Sequence, residues 1–201
     1  FENCWADSHY SYLERVVDTK NFDSVASAPD LTVEANAEAW IRGEYDSFCN
    51  TNDKEILSQV LNNYDQETTD FYRWKVEYTT EQLSDLVARR SGIDFGTILA
   101  LEPVERGVSG RLTRLRIVGT KRTMIVGKEL EIRRWLSEAH LYSSAFVVDK
   151  TDVGFCLTGA GWGHGVGLCQ IGAAVMGAKG YKYDEILYHY FVDSQLNILY
   201  K

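Results

Sequence analysis

The spacing of apolar residues predicts helices through most of the first third of the chain. Residues 11–18 ("SYLERVVD") place their apolar side chains on one helical face, at Tyr12, Leu13, Val16 and Val17. Residues 34–43 ("EANAEAWIRG") follow the same pattern and end on a glycine, as many helices do. In residues 52–64 ("NDKEILSQVLNNY"), Asn52 or Asp53 can cap a third helix. We expect these three segments to form a helical scaffold.

Alternating apolar and polar positions predict strands in the rest of the chain. Residues 70–78 alternate in this way, and residues 79–92 then predict a helix that Thr80 can cap. Residues 98–126 contain three strand patterns separated by glycines, and residues 128–138 predict another helix. Two further strand patterns follow, at residues 145–150 and 154–159. The fold class is therefore α+β: a single compact domain with a mostly antiparallel sheet and flanking helices.

Composition and charge exclude two classes of partner. The 201 residues carry a net charge of -8, and no block of Lys and Arg is present, so no duplex nucleic acid is expected to bind. No stretch of about 18 apolar residues occurs, so we expect no membrane span. Because the chain begins at Phe1 and not at Met, we interpret it as a processed or trimmed piece.

The four cysteines are not arranged in any C-x-x-C pair, which argues against the familiar zinc and thioredoxin motifs. Cys156 lies in an apolar run and Cys169 among small residues, so both are predicted to be buried thiols. Cys4 and Cys49 could form a disulfide, or join a metal site with groups upstream of this chain, but unpaired thiols are favoured over either. The sequence thus predicts no metal site.

Residues 159–174 ("GAGWGHGVGLCQIGAA") have glycine at every second position from Gly159 to Gly167, with Trp162 and His164 between them. No register of this run fits G-x-G-x-x-G, and no G-x-x-x-x-G-K-[ST] occurs, so no nucleotide site is predicted. Two interpretations remain. One is a tight crossover from strand to helix packed on a sheet; the other is a bare backbone that lets a ligand lie against the main chain.

The side chains in this run favour a ligand site. Trp162 offers a flat apolar face suited to a sugar ring, and His164 can donate and accept hydrogen bonds near neutral pH. Gln170 follows in the first turn of a predicted small-residue helix. Leu168 and Gly167 occupy the positions where a second metal ligand would be needed near His164, so this histidine is not predicted to bind metal.

Residues 161–191 ("GWGHGVGLCQIGAAVMGAKGYKYDEILYHYF") resemble the signature of the stage II sporulation protein D (SpoIID/LytB) family. Supporting matches occur in order at residues 109–111 ("SGR"), 127–137 ("GKELEIRRWLS") and 142–146 ("YSSAF"). The resemblance is strong over residues 71–201 and weak over the helical residues 1–70. Three residues depart from the family pattern, in which Met, Ser and Tyr are common: Leu168, Cys169 and Ile171.

This resemblance implies a lytic transglycosylase, an enzyme that cleaves peptidoglycan glycan strands and leaves a 1,6-anhydro end. One carboxyl group protonates the leaving oxygen and then takes the proton of the sugar's 6-hydroxyl as it attacks, so a single acid suffices. In the family that glutamate precedes the segment matching Phe1, so this chain would be the larger part of a longer domain and lack the acid. A location outside the cytoplasm in the cell envelope and no cofactor are also implied.

The resemblance assigns substrate binding to six residues. Trp162 would stack on a sugar ring, and His164 and Gln170 would hydrogen-bond hydroxyl or N-acetyl groups. Three cationic side chains would meet the carboxylate of muramic acid: Arg111, Lys128 and Arg133. We expect Glu129 and Glu131 to form helix salt bridges with Arg133 or Arg134 instead of replacing the missing acid.

Two alternatives to an enzyme stay open. One is a module that binds wall glycan without cleaving it or that modifies an amidase. The other is a purely structural role in a complex that remodels the wall. Both keep peptidoglycan glycan strands, and other cell-wall enzymes, as the expected partners.

Overall fold

The computed structural model describes residues 10–19, 28–60 and 70–200 of the chain. Its six α-helices are α1 (Glu34–Arg42), α2 (Lys54–Val60), α3 (Thr80–Ser91), α4 (Glu129–Trp135), α5 (Gln170–Ala178) and α6 (Tyr183–Tyr190). Its six strands are β1 (Arg73–Thr79), β2 (Ile98–Arg106), β3 (Leu112–Gly119), β4 (Thr123–Val126), β5 (Phe146–Lys150) and β6 (Gly154–Ala160). The predicted α+β class is confirmed.

The strands form two antiparallel sheets of three strands each, in the orders β1–β6–β5 and β2–β3–β4. The chain separates into two compact units: unit 1 comprises residues 1–28, 45–69 and 166–201, and unit 2 comprises residues 29–44 and 70–165. Both sheets belong to unit 2. The antiparallel pairing is as predicted, but it is divided between two sheets.

Unit 2 has its main core between the two sheets and the helices α3 and α4. The core side chains include Trp74, Leu83, Phe95, Leu115 and Phe146, each at most 3% exposed. Their burial follows from the period-2 and period-3.6 patterns of the strands and helices. In unit 1, α2 contacts α5, and a smaller core forms around Phe48, Val175, Met176 and Tyr190.

The N-cap of helix α3 lies one residue earlier than predicted. Thr79, not Thr80, is the N-cap: its side chain accepts a hydrogen bond from Gln82 N, and the Gln82 side chain accepts one from Thr79 N. Gly92 ends the helix with a left-handed φ of 72°. In α2 the cap is Asp53, whose Oδ1 accepts from Glu55 N at 2.9 Å and Ile56 N at 3.3 Å.

The prediction of a helix over residues 11–18 is wrong. Only a single 3₁₀ turn forms there, at Ser11–Leu13, and Glu14 is already extended with φ -70° and ψ 164°. No side chain caps the turn, and Val16 and Val17 are β-branched residues that tolerate extended backbone well. Further on, Asp18 O accepts a hydrogen bond from Phe48 N at 2.9 Å, which ties this segment to the rest of unit 1.

Among the described residues no helix is long and apolar enough to cross a bilayer. The predicted third helix is described only as far as Val60, so the rest of residues 52–64 lies outside the described residues. Helix α6 was not predicted at all.

Candidate functional site

The loop that follows β6 requires its glycines because of its backbone conformation. Gly161, Gly163 and Gly165 have φ values of 67°, 79° and 71°, and Gly167, in unit 1, has a φ of 76°. This left-handed region costs a residue with a Cβ roughly 1–2 kcal/mol, whereas glycine enters it freely. We refer to residues 161–165, the part within unit 2, as the glycine loop. Glycine thus alternates with Trp162 and His164 because every second residue of the loop adopts a left-handed φ.

Main-chain hydrogen bonds hold the glycine loop to the core of unit 2. Gly161 N donates to Tyr72 O at 3.0 Å, and Gly161 O accepts from the indole Nε1 of Trp74 at 3.0 Å. Two residues on, Gly163 N donates to Tyr142 O at 2.7 Å. Because these bonds join the loop to two segments, the start of β1 and the chain before β5, residues 161–163 are held in a defined position.

The Arg111 side chain packs against the glycine loop. It is largely buried, the residue being 7% exposed, and Nε donates to Gly163 O at 3.1 Å. A Cβ on Gly165 would overlap the Arg111 guanidinium, and one on Gly161 would lie 3.4 Å from Nη2. The space beside the Gly165 backbone is therefore filled by the Arg111 side chain and is not open to a ligand.

Gly159, at the start of the run, is explained by packing as well. It lies in β6 opposite Trp74 of β1, and a Cβ there would fall within the Trp74 indole. By contrast, a Cβ on Gly163 would meet nothing within 4 Å. Open space beside the backbone is therefore found at Gly163, and this is the position where a ligand has room.

Trp162 is partly buried between aromatic neighbours. Its ring centroid lies 4.7 Å from that of Phe71 and 4.5 Å from that of Tyr142, with interplanar angles of 39° and 35°. Such tilted contacts stabilise the indole in one orientation. Sequence analysis missed both neighbours, although Tyr142 opens the matched segment "YSSAF". Stacking of a sugar on Trp162 stays a prediction, and it is restricted to the part of the indole that these rings leave accessible.

His164 is partly exposed and interacts electrostatically with both acidic and basic side chains. Burial lowers the pKa of His164 below its ordinary value near 6.5; Glu129 acts to raise it, and Arg111 and Arg133 lower it further. The imidazole is therefore neutral at pH 7. In that state one ring nitrogen donates and the other accepts a hydrogen bond, which suits a neutral hydroxyl or amide ligand.

Glu129 is an unexpectedly buried carboxylate of unit 2, only 1% exposed. Arg133 Nη1 lies 3.4 Å from both of its oxygens, and Arg133 Nε donates to Leu141 O at 2.6 Å. Glu131 pairs with Arg134 at 2.5 Å. The predicted helix salt bridges are thus confirmed. Arg133 is fixed in place by them, and a ligand carboxylate near it would have to share the guanidinium with Glu129.

The structure assigns the six predicted binding residues to different units. Unit 2 contains five of them: Arg111, Lys128, Arg133, Trp162 and His164. His164 interacts electrostatically with Arg111 and Arg133, and Lys128 is exposed at the N-cap of α4. Gln170 is the exposed first residue of α5 and belongs to unit 1. The structure thus brings His164 together with two of the three predicted cations.

Of the two cysteines predicted to be buried, Cys156 is buried and Cys169 is only partly buried. Cys156 is a buried free thiol, as predicted, whereas Cys49 and Cys169 are partly buried free thiols of unit 1. These two sulfur atoms and a carboxylate oxygen of Asp18 all lie within 4.8 Å of one another. Cys4, which the sequence left as a possible but not favoured partner of Cys49, lies outside the described residues. No local spacing could have revealed this cluster, because its members are far apart in the sequence.

The lowered pKa of His164 predicts a loss of stability in mild acid. In the unfolded chain the imidazole takes up its proton near pH 6.5, while the folded protein resists protonation until lower pH. The contribution of neutral His164 is therefore fully present above about pH 6.5 and is lost as the pH falls through the folded pKa. Urea unfolding of wild type and His164→Gln between pH 5 and 8 measures it. A wild-type pH dependence that His164→Gln leaves unchanged would contradict the assignment.

Comparison with known proteins gives a family without an assigned activity. The family described as "Domain of unknown function (DUF8618)" matches residues 1–167. The chain is also 37% identical over 83 residues to an uncharacterized protein, BHWA1_00569, of Brachyspira hyodysenteriae (strain ATCC 49526 / WA1). That match covers 41% of this chain and 21% of the relative, so it spans about a fifth of the relative's length.

Proposed function

The chain belongs to the DUF8618 family, and we propose that its unit 2 binds peptidoglycan glycan strands at the glycine loop, as part of a lytic transglycosylase. The sequence resemblance to the stage II sporulation protein D family suggests this reaction. The observation that carries the proposal is the position of His164: a partly exposed, neutral imidazole fixed by a hydrogen-bonded loop beside Arg111 and Arg133.

The chemistry of the glycan matches this arrangement. Its sugars carry hydroxyl and N-acetyl groups, which hydrogen-bond to a neutral imidazole, and the muramic acid residues carry carboxylates, which arginine attracts. The open space at Gly163 allows a polymer to approach the main chain there. Lys128, exposed at the start of α4, adds a third positive charge within the same unit.

Cleavage would need a carboxylic acid from another part of the protein. Within unit 2 the buried carboxylate of Glu129 pairs with Arg133, and Glu131 pairs with Arg134. Neither is arranged as a proton donor to a leaving oxygen, because each faces a guanidinium. We therefore propose that a glutamate outside this chain supplies the proton, while unit 2 binds and orients the strand.

Replacing His164 by alanine is expected to reduce glycan cleavage by roughly 5- to 150-fold, because losing a hydrogen bond in a binding site costs about 1–3 kcal/mol. The assay uses the protein extended by its upstream sequence, with glycan strands stripped of stem peptides, and mass spectrometry quantifies the 1,6-anhydro products. His140→Ala is the matched control, since His140 is an exposed histidine of the same unit.

The melting temperature separates loss of function from loss of folding. We expect His164→Ala to melt within a few degrees of the wild type. Equal activity of His164→Ala and His140→Ala would overturn the proposal, and so would a wild-type extended protein that neither binds nor cleaves the glycan.

A glycan-binding module without activity is the second candidate. It is favoured by the ion pairs that occupy Glu129 and Glu131. The same assay distinguishes the two, because such a module would bind stripped glycan and release no anhydro product even in the extended protein. A cleavage product would exclude it.

A further inference from the structure

Unit 1 contains a cluster of metal-ligand atoms, none of which belongs to the glycine loop. A carboxylate oxygen of Asp18 and the sulfur atoms of Cys49 and Cys169 lie within 4.8 Å of one another. Asp18 follows the 3₁₀ turn, Cys49 lies in a turn before α2, and Cys169 is the N-cap of α5. The fold therefore brings three potential ligands together from three distant parts of the sequence.

Asp18 is oriented toward the cluster by several hydrogen bonds. Its Oδ1 accepts from the Tyr190 hydroxyl at 2.6 Å, and its Oδ2 accepts from Cys49 N and from Ser47 Oγ, each at 3.1 Å. Burial raises the pKa of Asp18, but the contacts with His189, Tyr190 and Cys49 more than offset this and leave it below its ordinary value. The hydrogen bonds thus hold the Asp18 carboxylate in place beside the two sulfur atoms.

The two sulfur atoms differ in their tendency to ionise. The pKa of Cys169 is lowered, chiefly by its hydrogen bond with Cys49, and the pKa of Cys49 is raised by the same bond and by burial. Cys169 Sγ also accepts from Gly172 N at 3.4 Å, at the positive end of the α5 dipole. The Gly172 N–H therefore stabilises negative charge on the Cys169 sulfur.

His189 provides an independent sign that a ligand belongs here. Its side chain is 8% exposed, and Nε2 is a buried nitrogen without a hydrogen-bond partner among the described residues. This nitrogen lies 3.5 Å from Asp18 Oδ1. Two ligands at about 2.0–2.1 Å from a tetrahedral zinc ion are separated by roughly 3.3 Å, so the distance between His189 and Asp18 fits atoms that share one ion. Because His189 is not within 4.8 Å of all three other ligand atoms, its side chain must shift toward the sulfur atoms to become the fourth ligand.

We propose that Cys49, Cys169, Asp18 and His189 bind a single Zn²⁺ ion that stabilises unit 1. Two thiolates, an imidazole and a carboxylate make a ligand set that suits zinc, and four protein ligands make a closed structural site. Coordination by Cys49 releases its thiol proton to solvent. The inference is independent of glycan binding, since all four residues belong to unit 1.

The metal alone, supplied as Zn²⁺ to the reduced full chain in competition with a chromogenic chelator, tests the proposal. We expect one tightly bound ion per chain and a higher melting temperature with zinc than with chelator. Cys169→Ser should weaken binding by more than about 100-fold, beyond the usual cost of losing an outer hydrogen-bond partner. Serine is also a good N-cap, so this variant keeps the start of α5.

Cys156→Ser is the matched control, because Cys156 is a buried thiol in β6 of unit 2. It should bind zinc like the wild type. Substitution with Co²⁺ gives a readout that does not depend on variants: coordinated thiolates produce a sulfur-to-cobalt charge-transfer band, and Cys169→Ser should weaken it. His189→Ala is expected to lower zinc affinity while leaving most of that band.

Two results would overturn the proposal. One is a reduced wild-type chain that binds no zinc above the level of Cys169→Ser. The other is an isolated wild-type protein in which mass spectrometry finds Cys49 and Cys169 joined as a disulfide, lacking two hydrogens, and in which zinc does not bind after reduction.

Discussion

Replacing Arg106 by alanine is expected to lower the free energy of unfolding by about 3 kcal/mol or more. Its side chain is 1% exposed and donates to both carboxylate oxygens of Glu34 at 2.7 Å, to Gly110 O at 2.8 Å and to Phe146 O at 2.9 Å. These bonds join α1, the β2–β3 turn and β5 within unit 2. Alanine would leave two buried carbonyls without their donor, at about 1.5–3 kcal/mol each.

Arg116→Ala is the control for Arg106→Ala. Arg116 lies in the same sheet and pairs with Glu102 at 3.1 Å, but both side chains are nearly half exposed, so its loss should cost no more than about 1 kcal/mol. Urea unfolding measures both variants. Equal destabilisation by the two would show that burial of Arg106 does not hold unit 2 together.

Gly165→Ala is expected to destabilise the protein by about 2–4 kcal/mol, clearly more than Gly163→Ala. Both residues have left-handed φ, at 71° and 79°, so alanine costs about 1–2 kcal/mol of backbone strain at either. Only at Gly165 would the new methyl group also overlap the Arg111 guanidinium and force it to move. The difference between the two variants therefore isolates the packing of Arg111.

The comparison of these two glycine variants uses urea unfolding under one set of conditions. Gly163→Ala should also reduce glycan binding, because its methyl group would enter the open space beside the loop. Equal stabilities for Gly165→Ala and Gly163→Ala would contradict the described contact between Arg111 and the loop.

The local part of the fold was accessible from the sequence. The alternation around Trp74 and the apolar spacing around Leu83 and Leu86 predicted β1 and α3, because each pattern is decided by burial on one face. Residues 11–18 show where this reasoning failed. Their apolar spacing fits a helix, but tertiary contacts of Asp18 with Phe48 and Tyr190 favour a non-helical conformation.

The candidate site was predictable only in part. The glycine run identified Trp162 and His164, since alternate glycines imply an unusual backbone. The glycine run could not reveal that the Arg111 guanidinium fills the space beside Gly165, because these residues are far apart in the sequence. The pairing of Glu129 with Arg133 followed from their spacing, but the burial of Glu129 did not. The cysteine cluster of unit 1 was missed because its members are likewise far apart in the sequence.

The most direct test of the account is to follow the histidine ring signals by NMR while glycan stripped of stem peptides is added to the full chain. His164→Gln and His140→Gln assign the signals. The account predicts that the His164 signals shift in a saturable way while those of the exposed His140 remain in place. Unchanged His164 signals at glycan concentrations that saturate binding, or no binding at all, would contradict a glycan site at the glycine loop.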